Sequence, residues 1–135
     1  YIVPSLGTDS GYVPYTAFCA RKSYYADHAD TLQHFTNALQ KGMDYTATHS
    51  AQEIASIIQP QFKETDLDTI TTIVTRYQCQ DTWKTDLIFE QSSFELLENI
   101  LMEAGELDSF VPYNELVDTS YAQKAIADKY NKRQI

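Results

Sequence analysis

Positive charge is scarce in this sequence: 10 Lys and Arg stand against 19 Asp and Glu among 135 residues, a formal net charge of −9. Binding the phosphate backbone relies on many basic side chains releasing condensed counterions, so nucleic acid is not expected as a partner. The imbalance is uneven, because Lys124, Lys129, Lys132 and Arg133 crowd the last positions beside Asp128, as at a solvated helix end. Long apolar runs are also missing, and no window approaches the roughly 18 consecutive residues that a membrane-spanning helix needs. Four glycines and four prolines exclude collagen-like and linker compositions. The two cysteines, Cys19 and Cys79, are too few for a disulfide framework and lack metal-site spacing. The chain opens Tyr-Ile-Val-Pro, without Met and without the basic, apolar, small order of a signal peptide, which suggests a cut inside a longer protein. What remains, 43% hydrophobic and 21% charged, suits one packed domain of ordinary size.

The first segment is rich in β-formers. Tyr15-Thr-Ala-Phe-Cys-Ala20 alternates large and small residues and predicts a strand, with Cys19 as a small buried hydrophobe inside it. A turn around Gly7 to Gly11 and Pro14 precedes it. From Asp27 the period becomes helical, and Leu32, Phe35, Leu39 and Met43 define one face of a helix over about 29–47. Ser50-Ala-Gln-Glu53 is a capping box opening a second helix with a stripe of Ile54, Ile57 and Ile58, ended by Pro60. Thr65 to Asp68 resembles the same box and starts a third, with Leu67, Ile70, Ile73, Val74 and Tyr77 facing inward. Ser92 to Glu95 repeats it for a fourth, on Phe94, Leu97, Leu101 and Ala104, with Gly105 at the C-terminal cap and Glu95, Glu98 and Glu103 off the stripe. An irregular connector over 106–117 leads to a last helix, capped around Asp118 to Ser120 and bearing Tyr121, Ala122, Ala125 and Ile126. A lone strand among five helices is a conflict, because a strand needs paired neighbours.

Motif-borne chemistry finds no support. The sequence has no H-E-x-x-H, no Cys-x-x-Cys, no glycine-rich phosphate loop and no Gly-x-Ser-x-Gly elbow. His28 and His34 lie six apart, on different faces of a helix, so with His49 they read as surface or capping residues. The pairs Asp66 with Asp68 and Glu103 with Glu106 sit at helix ends, where carboxylates complement the dipole or stay solvated. No catalytic residue, metal ligand or cofactor is therefore predicted. Aromatics make up 13% of the chain and can wall a cleft as readily as fill a core. Phe35, Tyr77 and Phe94 fall on helix stripes and read as core, whereas Tyr12, Tyr15 and Trp83 fall in turns or at strand ends and are the better pocket candidates.

Several stretches taken in order resemble a known family. They are Ser5-Leu-Gly7 with Ser10-Gly-Tyr-Val-Pro-Tyr15, Ala20-Arg-Lys-Ser-Tyr24, and Phe35-Thr-Asn-Ala-Leu-Gln-Lys-Gly42. They continue through His49-Ser-Ala-Gln-Glu-Ile-Ala55, Gln59-Pro60, Thr65-Asp-Leu67, Arg76-Tyr77, Gln80-Asp-Thr-Trp83 and Phe94-Glu-Leu-Leu97. Met102-Glu-Ala-Gly-Glu-Leu107 and Val111-Pro-Tyr113 through Leu116-Val-Asp118 complete the set. Together they resemble the C-terminal part of a substrate-binding protein of a bacterial ABC importer, of the family for sulfonates, nitrate, taurine and thiamine pyrimidine precursors. The resemblance implies an α/β fold, the C-terminal part of a two-lobe periplasmic-binding-protein (type II) architecture, helix-rich here with one or two strands. Residues 1–16 would then end the second lobe and form the return crossover, and 17–135 would be the C-terminal portion of the first lobe. It implies capture of a small organic solute by hinge closure, without covalent chemistry, in the periplasm or lipid-anchored at the cell surface, with a membrane permease as partner. Ser10, Gly11, Tyr12, Tyr15 and Trp83 would face the ligand. Two alternatives are a thiamine pyrimidine biosynthesis enzyme of the same fold, whose cysteine motif is not in this chain, and a helical interaction module that self-associates through its strand.

Overall fold

A computed structural model describes residues 11–132. Among them the helices are α1 (Lys22–Asp27), α2 (Ala29–Thr48), α3 (Ala51–Ile58, running into a 3₁₀ turn over Gln59–Gln61), α4 (Leu67–Cys79), α5 (Gln91–Glu103), α6 (Tyr113–Leu116) and α7 (Ser120–Lys132). No β-strand occurs among the described residues. The expected two-lobe α/β architecture is therefore corrected to a small helical fold. The physical reason lies in the predicted strand itself. A strand exists only through a paired neighbour, and Tyr15 to Ala20 has none among the described residues, so Tyr15 is 98% exposed and Phe18 and Cys19 also face solvent. Cys19 is thus an exposed free thiol and not a buried hydrophobe. Of the two stretches 1–16 and 17–135, the first falls largely on residues outside the described ones.

Helix boundaries follow local chemistry. At α3 the capping box forms both ways: the Glu53 N–H donates to Ser50 Oγ at 3.3 Å, and the Ser50 N–H donates to Glu53 Oε2 at 2.9 Å. The Ser50 hydroxyl and N–H together hold the Glu53 carboxyl below its usual range. Ser50→Ala is expected to destabilise the fold by about 1 kcal/mol, the usual loss for an N-cap, and urea unfolding with Ser50→Thr as the retained-cap control measures it. At α4 the cap sits one residue later than the sequence pattern places it: Asp66 Oδ1 accepts from the Thr69 N–H at 2.8 Å, and the Thr69 hydroxyl donates to Asp66 Oδ2 at 2.7 Å. The box expected at Ser92 does not form, because α5 already begins at Gln91 with Glu90 as N-cap. Its other end matches the glycine signal: Gly105 adopts φ +74°, the Gly105 N–H reaches the Met102 carbonyl at 3.1 Å, and the Glu106 N–H reaches Leu101 at 2.9 Å.

Packing is concentrated in two helix pairs. α3 and α4 bury Ile54 and Ala55 against Ile70 and Val74, with Tyr45, Ala51, Ile58, Leu67 and Trp83 around them. α2 and α7 meet through the small buried residues Ala122 and Ala125. That second seam is polar as well as apolar: Gln33 Nε2 donates to the Tyr121 carbonyl at 3.1 Å and to Asn37 Oδ1 at 2.9 Å, and Lys129 Nζ lies 2.5 Å from Asp44 Oδ1. The expected α2 stripe is rotated accordingly. Gln33 and Gln40 are buried, while Phe35 is partly exposed with its ring edge-on to Phe18, centroids 4.9 Å apart. Tyr77, also expected in the core, is exposed as well.

Candidate functional site

Of the residues singled out as ligand-facing, Ser10 lies outside the described residues. Gly11 adopts φ +79°, a conformation that L side chains rarely take, and a Cβ there would stand 3.4 Å from Leu96 Cδ2 on α5. This bend carries Tyr12 across to the turn after α4, where its hydroxyl donates to Asp81 Oδ2 at 2.8 Å. Asp81 is itself in the left-handed region, φ +52°, which a short polar side chain tolerates. The hydrogen bond to the Asp81 carboxylate, and then its charge, raise the Tyr12 phenol above the ordinary tyrosine range. Two residues on, Trp83 is partly buried against the α3–α4 core and meets Tyr77 edge-on, centroids 5.7 Å apart. The fold therefore brings Tyr12 to the turn that holds Trp83, while Tyr15 projects into solvent away from both. Asp81 is the residue that sequence reasoning missed here, because its partner stands 69 positions earlier.

Histidines and cysteines form no cluster with it. His28 stacks on Tyr24 at 4.0 Å, and His49 stacks on Tyr45 at 3.6 Å. Cys19 and Cys79 are both free and exposed. Among the described residues no group of three metal-ligating side chains is found.

A concave feature lies on the other side of α5. A groove of about 730 Å³ runs between that helix and the segment 110–114. Phe94 packs edge-on to Phe89 and Tyr113, with centroids 6.0 and 5.7 Å away, and the Tyr113 hydroxyl donates to the Phe89 carbonyl. Burial pushes the Tyr113 phenol above its ordinary range. Glu98, off the apolar stripe in sequence, is only 6% exposed, and its Oε1 accepts the Val111 N–H at 2.8 Å. The signal for it was indirect: an apolar connector over 106–117 must give its amides an acceptor somewhere.

The chain is 39% identical over 129 residues to the Bacillus subtilis (strain 168) protein described as "Putative binding protein YtlA". That relative is described as a binding protein. The match covers 96% of this chain and 39% of the relative, so the chain spans about two fifths of the relative's length. No family model and no solved structure matches the chain. The relative's description speaks of binding and of nothing more, and the described residues carry helices alone. The reading as a piece of an ABC-importer substrate-binding protein, drawn from resemblance, is corrected on those two findings.

Proposed function

We propose that this chain serves a longer, non-catalytic binding protein that captures a small organic solute outside the cytoplasm. One observation carries the reading: the alignment with a protein described as a binding protein runs through nearly the whole chain. Residue chemistry supports a solute-facing role for the bend at Gly11 and Tyr12, where an exposed ring and the carboxylate of Asp81 offer an apolar face beside a hydrogen-bonding group. Tyr15 and Trp83 complete the candidate set. Calorimetry on the longest polypeptide expressed from the gene, against taurine, an alkylsulfonate and the pyrimidine precursor of thiamine, tests it. One solute is expected to bind, and Tyr12→Ala to weaken it about tenfold with melting unchanged, the scale of one lost ring contact with its hydrogen bond. Absence of heat with every solute at millimolar concentration would sink the reading; unchanged affinity in Tyr12→Ala, Tyr15→Ala and Trp83→Phe would remove those residues from the site.

A second reading, as a helical interaction module, has its own observation. Ile57, Ile73 and Tyr77 leave apolar side chains of α3 and α4 in solvent. Sedimentation across a concentration series separates the two, since a module that self-associates gains mass without any solute.

A further inference from the structure

We propose that the groove between α5 and residues 110–114 is a binding site for a small organic cation, a protonated amine carried on an apolar body. The inference goes beyond the solute reading and does not depend on it. Leu96, against which Gly11 sits, is two positions from both Phe94 and Glu98, about 200° around the helix. The groove and the Tyr12–Asp81 contact therefore lie on opposite sides of α5.

The floor of the groove holds a carboxylate that protein donors reach at one oxygen. Glu98 is nine-tenths buried, and an ionised carboxylate offers about four acceptor positions. One of its oxygens takes the Val111 N–H; among the described residues no hydrogen bond reaches the other. That second oxygen keeps contact with water, and an ammonium group would replace the water with up to three N–H donors together with the opposite charge. The walls suit what such a cation carries. Phe94, Phe110 and Tyr113 line the same groove, and the faces of aromatic rings attract cations as well as apolar groups. Phe110 is 56% exposed at the rim, a large ring that the fold itself leaves uncovered. Glu95 adds a second carboxylate, while no Lys, Arg or His lines the groove, and the chain's net charge of −9 adds a field of the same sign. Anchoring the connector explains the Glu98 contact with Val111. It does not explain the second oxygen or the open ring of Phe110.

Benzylammonium chloride is the probe, titrated into the isotope-labelled chain and followed by amide NMR, with benzyl alcohol as its neutral counterpart. The amides of Val111 and Tyr113 are expected to shift to saturation with benzylammonium and to respond about tenfold more weakly to benzyl alcohol. Glu98→Gln keeps an acceptor for the Val111 N–H and is expected to weaken the cation about tenfold. Phe110→Ala, at a half-exposed rim, is expected to weaken it severalfold without lowering the melting temperature. The second variant keeps the test decisive if Glu98→Gln proves unstable. No shift up to about 20 mM, equal response to the alcohol, or unchanged affinity in Phe110→Ala would overturn the proposal. Shifts confined to Tyr12, Asp81 and Trp83 would do so too, and would place the ligand at the other side of α5.

Discussion

Ile54→Ala is expected to loosen α3 and α4 together, lowering the free energy of opening that pair by about 3 kcal/mol while α2 and α7 keep their protection. The argument begins with how few side chains hold the pair: Ile54 and Ala55 on one helix, Ile70 and Val74 on the other, each almost fully buried. Truncating one of the three branched residues removes its transfer free energy and leaves a cavity that two short, well-capped helices relax into only partly. The neighbouring helix pair meets this cluster through Tyr45 of α2, while the contact that holds that pair together is made by Ala122, Ala125 and the hydrogen bonds of Gln33. Native-state hydrogen exchange reads the result residue by residue. Amides of α3 and α4 are expected to exchange roughly a hundredfold faster in the variant, the kinetic image of about 3 kcal/mol. Ile57→Ala, at a side chain that is 61% exposed, is the control and is expected to change stability by less than about 0.5 kcal/mol. Uniform acceleration through α2 and α7 would show one cooperative unit in place of two pairs, and an effect equal to that of Ile57→Ala would show that the four-residue cluster is not the core.

What could be read from the sequence was what local chemistry decides. The Ser50 box and Gly105 need only residues three to five positions away, and both do in the fold what their spacing implies. The first long helix, expected over 29–47, runs over Ala29–Thr48, since an apolar period of that length leaves little choice. Facing was harder. Leu32, Phe35, Leu39 and Met43 define a stripe by hydrophobicity, yet Gln33 and Gln40 are the α2 residues buried most deeply, because each finds a backbone carbonyl far along the chain. Such partners leave no trace at short range. The segment Tyr15 to Ala20 failed for the same reason in reverse: its composition suits a strand, but pairing is a tertiary event and no partner lies among the described residues. Of the candidate site, the aromatic at Tyr12 was visible and its carboxylate partner was not; the groove around Glu98 was hidden altogether, since it takes two segments to make a wall and a floor.

Gln40→Glu is expected to cost roughly 3 kcal/mol at neutral pH and to recover most of that in acid. Gln40 is 2% exposed, and its Nε2 donates to Asp44 Oδ1 at 3.0 Å and to the Thr85 carbonyl at 3.2 Å. Its Oε1 is buried and has no hydrogen-bond partner among the described residues, so the side chain acts here as a donor only. A glutamate of the same length turns that donor into an acceptor, facing a carbonyl and the carboxylate of Asp44. Lys129, 2.5 Å from Asp44, offsets part of the added charge, which keeps the cost below that of an isolated buried ion. The neutral acid can donate once and so restores one of the two bonds. Its folded-state pKa therefore lies above the unfolded value of about 4.3, and the variant is most stable below that pH and loses stability as pH rises through the folded value. Urea unfolding of variant and wild type from pH 4 to about pH 8 measures the difference, with the other carboxylates cancelling in the subtraction. Gln40→Met separates charge from donor loss, because it forfeits both hydrogen bonds and adds no ion, and its difference from wild type is expected to stay level with pH. A level difference for Gln40→Glu as well would mean that the side chain holds its place by shape, with the two hydrogen bonds contributing little.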